Sequence, residues 1–186
     1  MPSLYWILKF PLALAIALLS ACTAVQPDVS DRLRADLLAA NSATSVLAKW
    51  CATAHLAEPP TIAALRDLAY VPASKDIRAL LKVSVGEPIR YRRVKLVCGS
   101  HVLSEADNWY VPARLTPQMN EELDTSNTPF GLAVKALNFH RVTLDVQSVE
   151  GPKTILSVRA LLLTPDMQPF SLVVENYTSE LKRPAF

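Results

Sequence analysis

Three histidines, His55, His101 and His140, stand far apart with no spacing that would gather them around one metal ion. The four glycines fall at positions 86, 99, 131 and 151, so no glycine-rich loop can cradle a phosphate. No G-x-S-x-G turn exists to present a serine nucleophile, and no cysteine has a nearby histidine in a known nucleophile pattern. Cys98 shares a strand face with Val94 and Leu96 by alternation, which predicts a core thiol rather than a nucleophile. Metal-assisted, phosphate-binding and common hydrolytic chemistries therefore lack their residues, and no cofactor or metal is expected.

One spacing does carry chemistry, that of covalent modification. Lys9 precedes the apolar run "FPLALAIALLSAC", which is too short to span a bilayer comfortably and ends in Leu19-Ser20-Ala21-Cys22. An apolar residue and two small residues before a cysteine match the bacterial lipobox. This predicts that residues 1–21 are a lipoprotein signal peptide and that Cys22 becomes the acylated first residue, with palmitate-like chains anchoring it in a membrane. Thr23 stands where Asp would direct retention in the inner membrane, so the expected place is the periplasmic side of the outer membrane. Residues 22–29 read as the lipidated cysteine and its tether, and 30–186 as one domain.

A net charge of +2 excludes a strongly basic nucleic-acid surface. Cys51 and Cys98 are two spare cysteines that could bridge in an oxidising compartment or lie as separate buried thiols, and the sequence leaves both open.

The elements that must position any site follow from periodicity. Ser30 is a plausible N-cap, and leucines at helical spacing from Leu33 predict a helix, two-part around Asn41-Ser42, that "AEPPT" stops. Residues 61–70 read equally as a short helix or an irregular segment holding a strand. Period-two patterning then predicts strands at 80–85, 89–98, 102–111, 139–149, 154–164 and 169–178. In the fourth of these, His140, Val142, Leu144, Val146 and Ser148 face one way, and Arg141, Thr143, Asp145 and Gln147 the other. Short helices are expected at 115–123 and 131–137. Helices first and then strands joined by short turns, such as Gly99-Ser100 and Gly151-Pro152, predict an α+β fold with a largely antiparallel sheet.

The order "RRVKLVCG", a second strand ending "WYVP", a helical segment and then "TPFG" resembles the chorismate lyase family across roughly residues 42–178. The resemblance implies a six-stranded antiparallel sheet with helices packed on it around a small enclosed cavity, a fold shared with the ligand-binding domains of one group of bacterial transcription regulators. It puts the arginine that grips the ligand's carboxylate on Arg93, the carboxylate at the other end of the ligand on Glu175, and a backbone N–H contact on Phe130. The same matching puts a first-helix contact on Ala43, where the family has methionine, and places Asn108 where the cytoplasmic enzymes carry arginine.

Three functions follow as expectations. The first is an envelope lipoprotein whose cavity binds a small, aromatic carboxylate through Arg93, Phe130, Glu175, Ala43 and Asn108. The second is a cofactor-independent lyase eliminating pyruvate from chorismate, with Arg93 and Glu175 catalytic. The third is an envelope assembly protein that kept the fold without a ligand.

Overall fold

The computed structural model describes residues 28–182; the signal peptide and lipobox lie outside them. Two helices open the chain, α1 (Val29–Ala39) and α2 (Ala43–Thr53). The expected break at Asn41-Ser42 is real, and it comes from capping: the Ser42 hydroxyl accepts the Ser45 N–H at 3.4 Å and starts a new helix. The first helix is capped by Asp28 rather than Ser30, whose N–H donates to the Asp28 carboxylate at 3.2 Å.

Six strands follow in one sheet, ordered β1-β2-β3-β6-β5-β4, with every neighbouring pair antiparallel. They are β1 (Ile62–Asp67), β2 (Arg90–Cys98), β3 (His101–Tyr110), β4 (His140–Ser148), β5 (Thr154–Leu163) and β6 (Pro169–Thr178). The α+β architecture expected from the sequence is what the chain forms. Its first strand is different, however. Residues 80–85 are not a strand; they close α3 (Lys75–Leu80) and turn, with Lys82 at φ 50°. The alternation read there serves packing instead: Leu81 and Val83 bury against Trp109, Val111 and Leu172 on the sheet. The true first strand is 62–67, in the segment whose pattern was ambiguous, and it becomes a strand by pairing along β2 from Cys98 to Arg93.

The sheet has two unequal faces. On the inner face, α1 and α2 cover one half, where Leu33, Leu37 and Leu47 meet Val94, Leu96 and Val158. The other half lies under α4 (Pro117–Thr125), α5 (Phe130–Ala133) and the turn that follows, where Leu123, Phe130 and Phe139 meet Leu162, Phe170 and Val173. The outer face is covered partly by α3 and otherwise carries charge. Cys51 on α2 and Cys98 on β2, both fully buried, form a disulfide that pins helix to sheet, with 6.2 Å between Cα atoms.

Candidate functional site

Where the two inner-face packing clusters meet they do not close completely. The gap is lined by Val94, Leu96, Ala106, Leu162 and Val173 from the sheet and by Ala43, Phe130 and Phe139 from the helical layer. Its polar walls are Asn108 on β3, Arg141 on β4, Glu175 on β6 and the Asn41–Thr44 corner between α1 and α2. Ala43, Asn108, Phe130 and Glu175, from four distant segments, thus share one cavity. The space is ≈ 30 Å³, room for about two water molecules and smaller than the ring-sized pocket expected.

Arg93 is not part of it. Arg92, Val94 and Leu96 alternate onto the inner face, so Arg93 points outward. There it lies among carboxylates, 3.8 Å from Asp67, 3.3 Å from Glu105 and 3.6 Å from Asp107. Tyr91 donates a further hydrogen bond to Asp107. Arg93 is thus already neutralised on the solvent side of the sheet. The one-residue difference decides everything, because a strand's side chains change face at every step.

Arg92 is the inward arginine and is 5% exposed. Its Nη2 donates to the Thr128 carbonyl at 3.1 Å and more weakly to that of Ser126, while Nε and Nη1 are buried without a partner among the described residues. Burial above all, with Arg66 nearby, pushes its pKa down to about 10. Arg92 stands beside the cavity rather than in its wall, behind Asn108, whose side-chain amide donates to the Arg92 carbonyl at 3.3 Å.

Arg141 is the residue that sequence reasoning missed. Its Nη2 donates to Glu175 Oε2 at 2.5 Å, with both side chains almost wholly buried. Tyr177 donates to the same Oε2 at 2.9 Å. Both bonds fall on one carboxylate oxygen, which leaves Oε1 uncommitted, and the Arg141 Nε is buried without a partner among the described residues. Burial disfavours the Arg141 cation, but the Glu175 carboxylate outweighs it and the pKa is raised. The Tyr177 hydroxyl is pushed well above its usual pKa, by burial first and by Glu175 second.

Strict alternation puts Arg141 opposite Val146. A β-bulge at Leu144 breaks that alternation: Thr143 pairs with Ala160 but Asp145 with Arg159. Arg141 and Thr143 before the bulge and Val146 and Ser148 after it therefore all face inward. No local signal marks this bulge, since Leu144 is neither glycine nor asparagine.

Among the described residues, no group of three or more His, Cys, Asp or Glu could hold a metal, and no helix is long and apolar enough to cross a membrane.

No protein-family model matches the chain. The uncharacterized protein y4mC of Sinorhizobium fredii is 41% identical over 177 residues, covering 82% of this chain and 75% of that protein. The chain belongs to the y4mC family. Among solved structures, the effector domain of PhnF from Mycobacterium smegmatis superposes with a TM-score of 0.54 at 12% identity, over 75% of this chain and 90% of that one. A second PhnF structure from the same organism gives 0.52 at 14% identity, over 77% and 66%. At such identities the likeness is one of fold: the chain shares with these effector-domain structures an α+β fold with a six-stranded antiparallel sheet.

Proposed function

We propose that this chain is an envelope lipoprotein whose domain binds a small carboxylate through Arg141 and Glu175. The observation that carries the reading is the pair itself, two residues of the cavity wall in which Arg141 Nε is buried without a partner among the described residues and Glu175 Oε1 is uncommitted. Unmade bonds in a buried place are costly, about 1–3 kcal/mol per group, and a ligand that makes them recovers that cost. Among the described residues, the buried charges of the inner face are Arg92 and Arg141 against Glu175, an excess of one positive charge that favours an anion. A ligand carrying a carboxylate and a neighbouring hydroxyl or amine proton complements both vacancies. The fold neighbour's name as an effector domain is in keeping with a binding role.

The envelope address rests on the Leu19-Ser20-Ala21-Cys22 spacing and gains support from the Cys51–Cys98 disulfide, a bond that persists in oxidising compartments. Mass spectrometry of protein extracted from membranes is expected to find a diacylglyceryl group on Cys22. A soluble species with an unmodified Cys22 removes the lipoprotein reading.

Binding is tested by thermal unfolding of the full chain in detergent against small hydroxy and amino carboxylates, each paired with its primary alcohol. A ligand bound only by the folded state raises stability as RT ln(1 + [L]/Kd). Carboxylates are expected to shift the transition and the alcohols not to. Equal shifts, or none from any carboxylate, refute the assignment.

A further inference from the structure

The cavity has a neighbour. Between the α1–α2 corner and α5 lies a surface hollow of ≈ 330 Å³, lined by Asn41, Ser42, Ser45, Gly131, Leu132, Lys135, Asn138 and Phe139. Four of these residues, Asn41, Ser42, Gly131 and Phe139, also line the inner cavity. The two spaces are therefore separated by one shared ring of side chains, and Gly131 contributes none. A Cβ built on Gly131 would lie 3.2 Å from Ser42 Oγ, 3.6 Å from Thr44 Oγ1 and 4.0 Å from Phe139 Cζ. It would stand in the neck.

Gly131 does not need to be glycine for its backbone, which is helical with no positive φ. What it provides is a missing side chain. The opposite rim cannot readily swing aside, because Ser42 Oγ caps α2 and the Ser45 hydroxyl donates back to the Ser42 carbonyl at 2.7 Å. The sizes of the two spaces are also telling. An inner cavity that holds about two waters accommodates a carboxylate-sized group and nothing larger, whereas the outer hollow has room for a ring and offers Leu132, 46% exposed, and Phe139 as apolar surface.

Resting on the carboxylate reading above, we infer that the ligand is held across this neck. Its oxygen-bearing tip passes Gly131 to reach Arg141 and Glu175, while its apolar body stays in the outer hollow on Leu132 and Phe139. The ligand class is accordingly an elongated carboxylate with a slender tip. A compact acid buried whole does not fit.

The neck is tested without any ligand by placing a thiol in the inner cavity, Ala106→Cys, in the full chain and measuring its modification by methyl methanethiosulfonate. The chain without this substitution gives the background. Gly131→Ala is expected to slow labelling of the introduced thiol about tenfold, the scale of overpacking one methyl into a tight contact. Should that variant not fold, Phe139→Leu trims the same neck from the other side and is expected to speed labelling. Labelling independent of residues 131 and 139, or absent altogether, overturns the entry route.

The occupancy is tested with glycolate, a tip alone, and 2-hydroxy-4-phenylbutanoate, a tip with a body. The longer acid is expected to bind at least about tenfold tighter, and Leu132→Ser to remove most of that margin. Equal affinities, or a margin untouched by Leu132→Ser, overturn the division of the ligand between two spaces. If neither acid binds while labelling still depends on Gly131, the carboxylate reading fails and the neck stands.

Discussion

Arg141 on β4 reaches across β5 to Glu175 on β6 and bonds it at 2.5 Å beneath the helical layer, so that two strands not adjacent in the sheet are joined by a buried ion pair. Tyr177, two residues beyond Glu175 on the same face, completes the cluster. Unlike Arg93, whose ion pairs are half in water, this group is almost sealed from solvent.

Breaking such a pair from one side leaves a charge buried alone. Arg141→Met is therefore expected to destabilise the fold by about 3–5 kcal/mol, while Arg141→Met combined with Glu175→Gln costs far less. Urea unfolding of the single and double variants measures this. Equal losses in both would mean that the pair is not coupled.

The disulfide joins residues 47 apart and is expected to stabilise the chain by about 4 kcal/mol, chiefly by restricting the unfolded state. Cys51→Ala with Cys98→Ala should lower the urea midpoint accordingly. Adding reductant to that variant should have no further effect.

Arg92 and Arg93 should behave in opposite ways. Arg93→Met removes a partly exposed network and is expected to change stability by less than about 1 kcal/mol and carboxylate affinity hardly at all. Arg92→Met removes two buried, unpaired donors, so it is expected to leave stability unchanged or raise it. It should also weaken carboxylate binding about threefold to tenfold, as loss of a nearby but non-contacting charge does. Paired titrations and urea curves decide; a larger binding loss at Arg93 than at Arg92 would reverse the assignment of faces.

Tyr177 gives the fold a defined alkaline response. Its folded pKa is raised, so its neutral form contributes stability that is fully present below the unfolded value of about 10. That contribution is lost as pH climbs from there toward the folded value. Tyr177→Phe is expected to cost about 1 kcal/mol at neutral pH through the lost hydrogen bond, yet to fall less steeply than the parent above about pH 10. Unfolding curves from neutral to strongly alkaline pH, with parallel slopes for the two proteins, would exclude this origin.

What the amino-acid sequence determined by itself was the set of elements with strong local causes. Ser42 caps a helix with its own hydroxyl, so the break in the first helical segment was legible. Alternation over β2, β3, β5 and β6 and the turn residues between them were enough for an antiparallel α+β chain. The resemblance to the chorismate lyase family, not any local pattern, singled out Phe130 and Glu175, and the structure places them on one cavity with Ala43 and Asn108. Two things were decided only by tertiary structure. Segment 62–67 has no strong pattern of its own and becomes a strand because β2 offers it an edge. That Arg92 rather than Arg93 faces inward, by contrast, follows from the core face that alternation gives Val94, Leu96 and Cys98, and the matching to the family overrode it. Arg141 became the partner of Glu175 through a bulge at Leu144 that no residue type announces, and through a strand order in which β4 and β6 flank β5. A pairing of this kind is a property of the whole sheet. Local sequence sets which way each strand alternates, but only the assembled sheet sets which charges share a cavity.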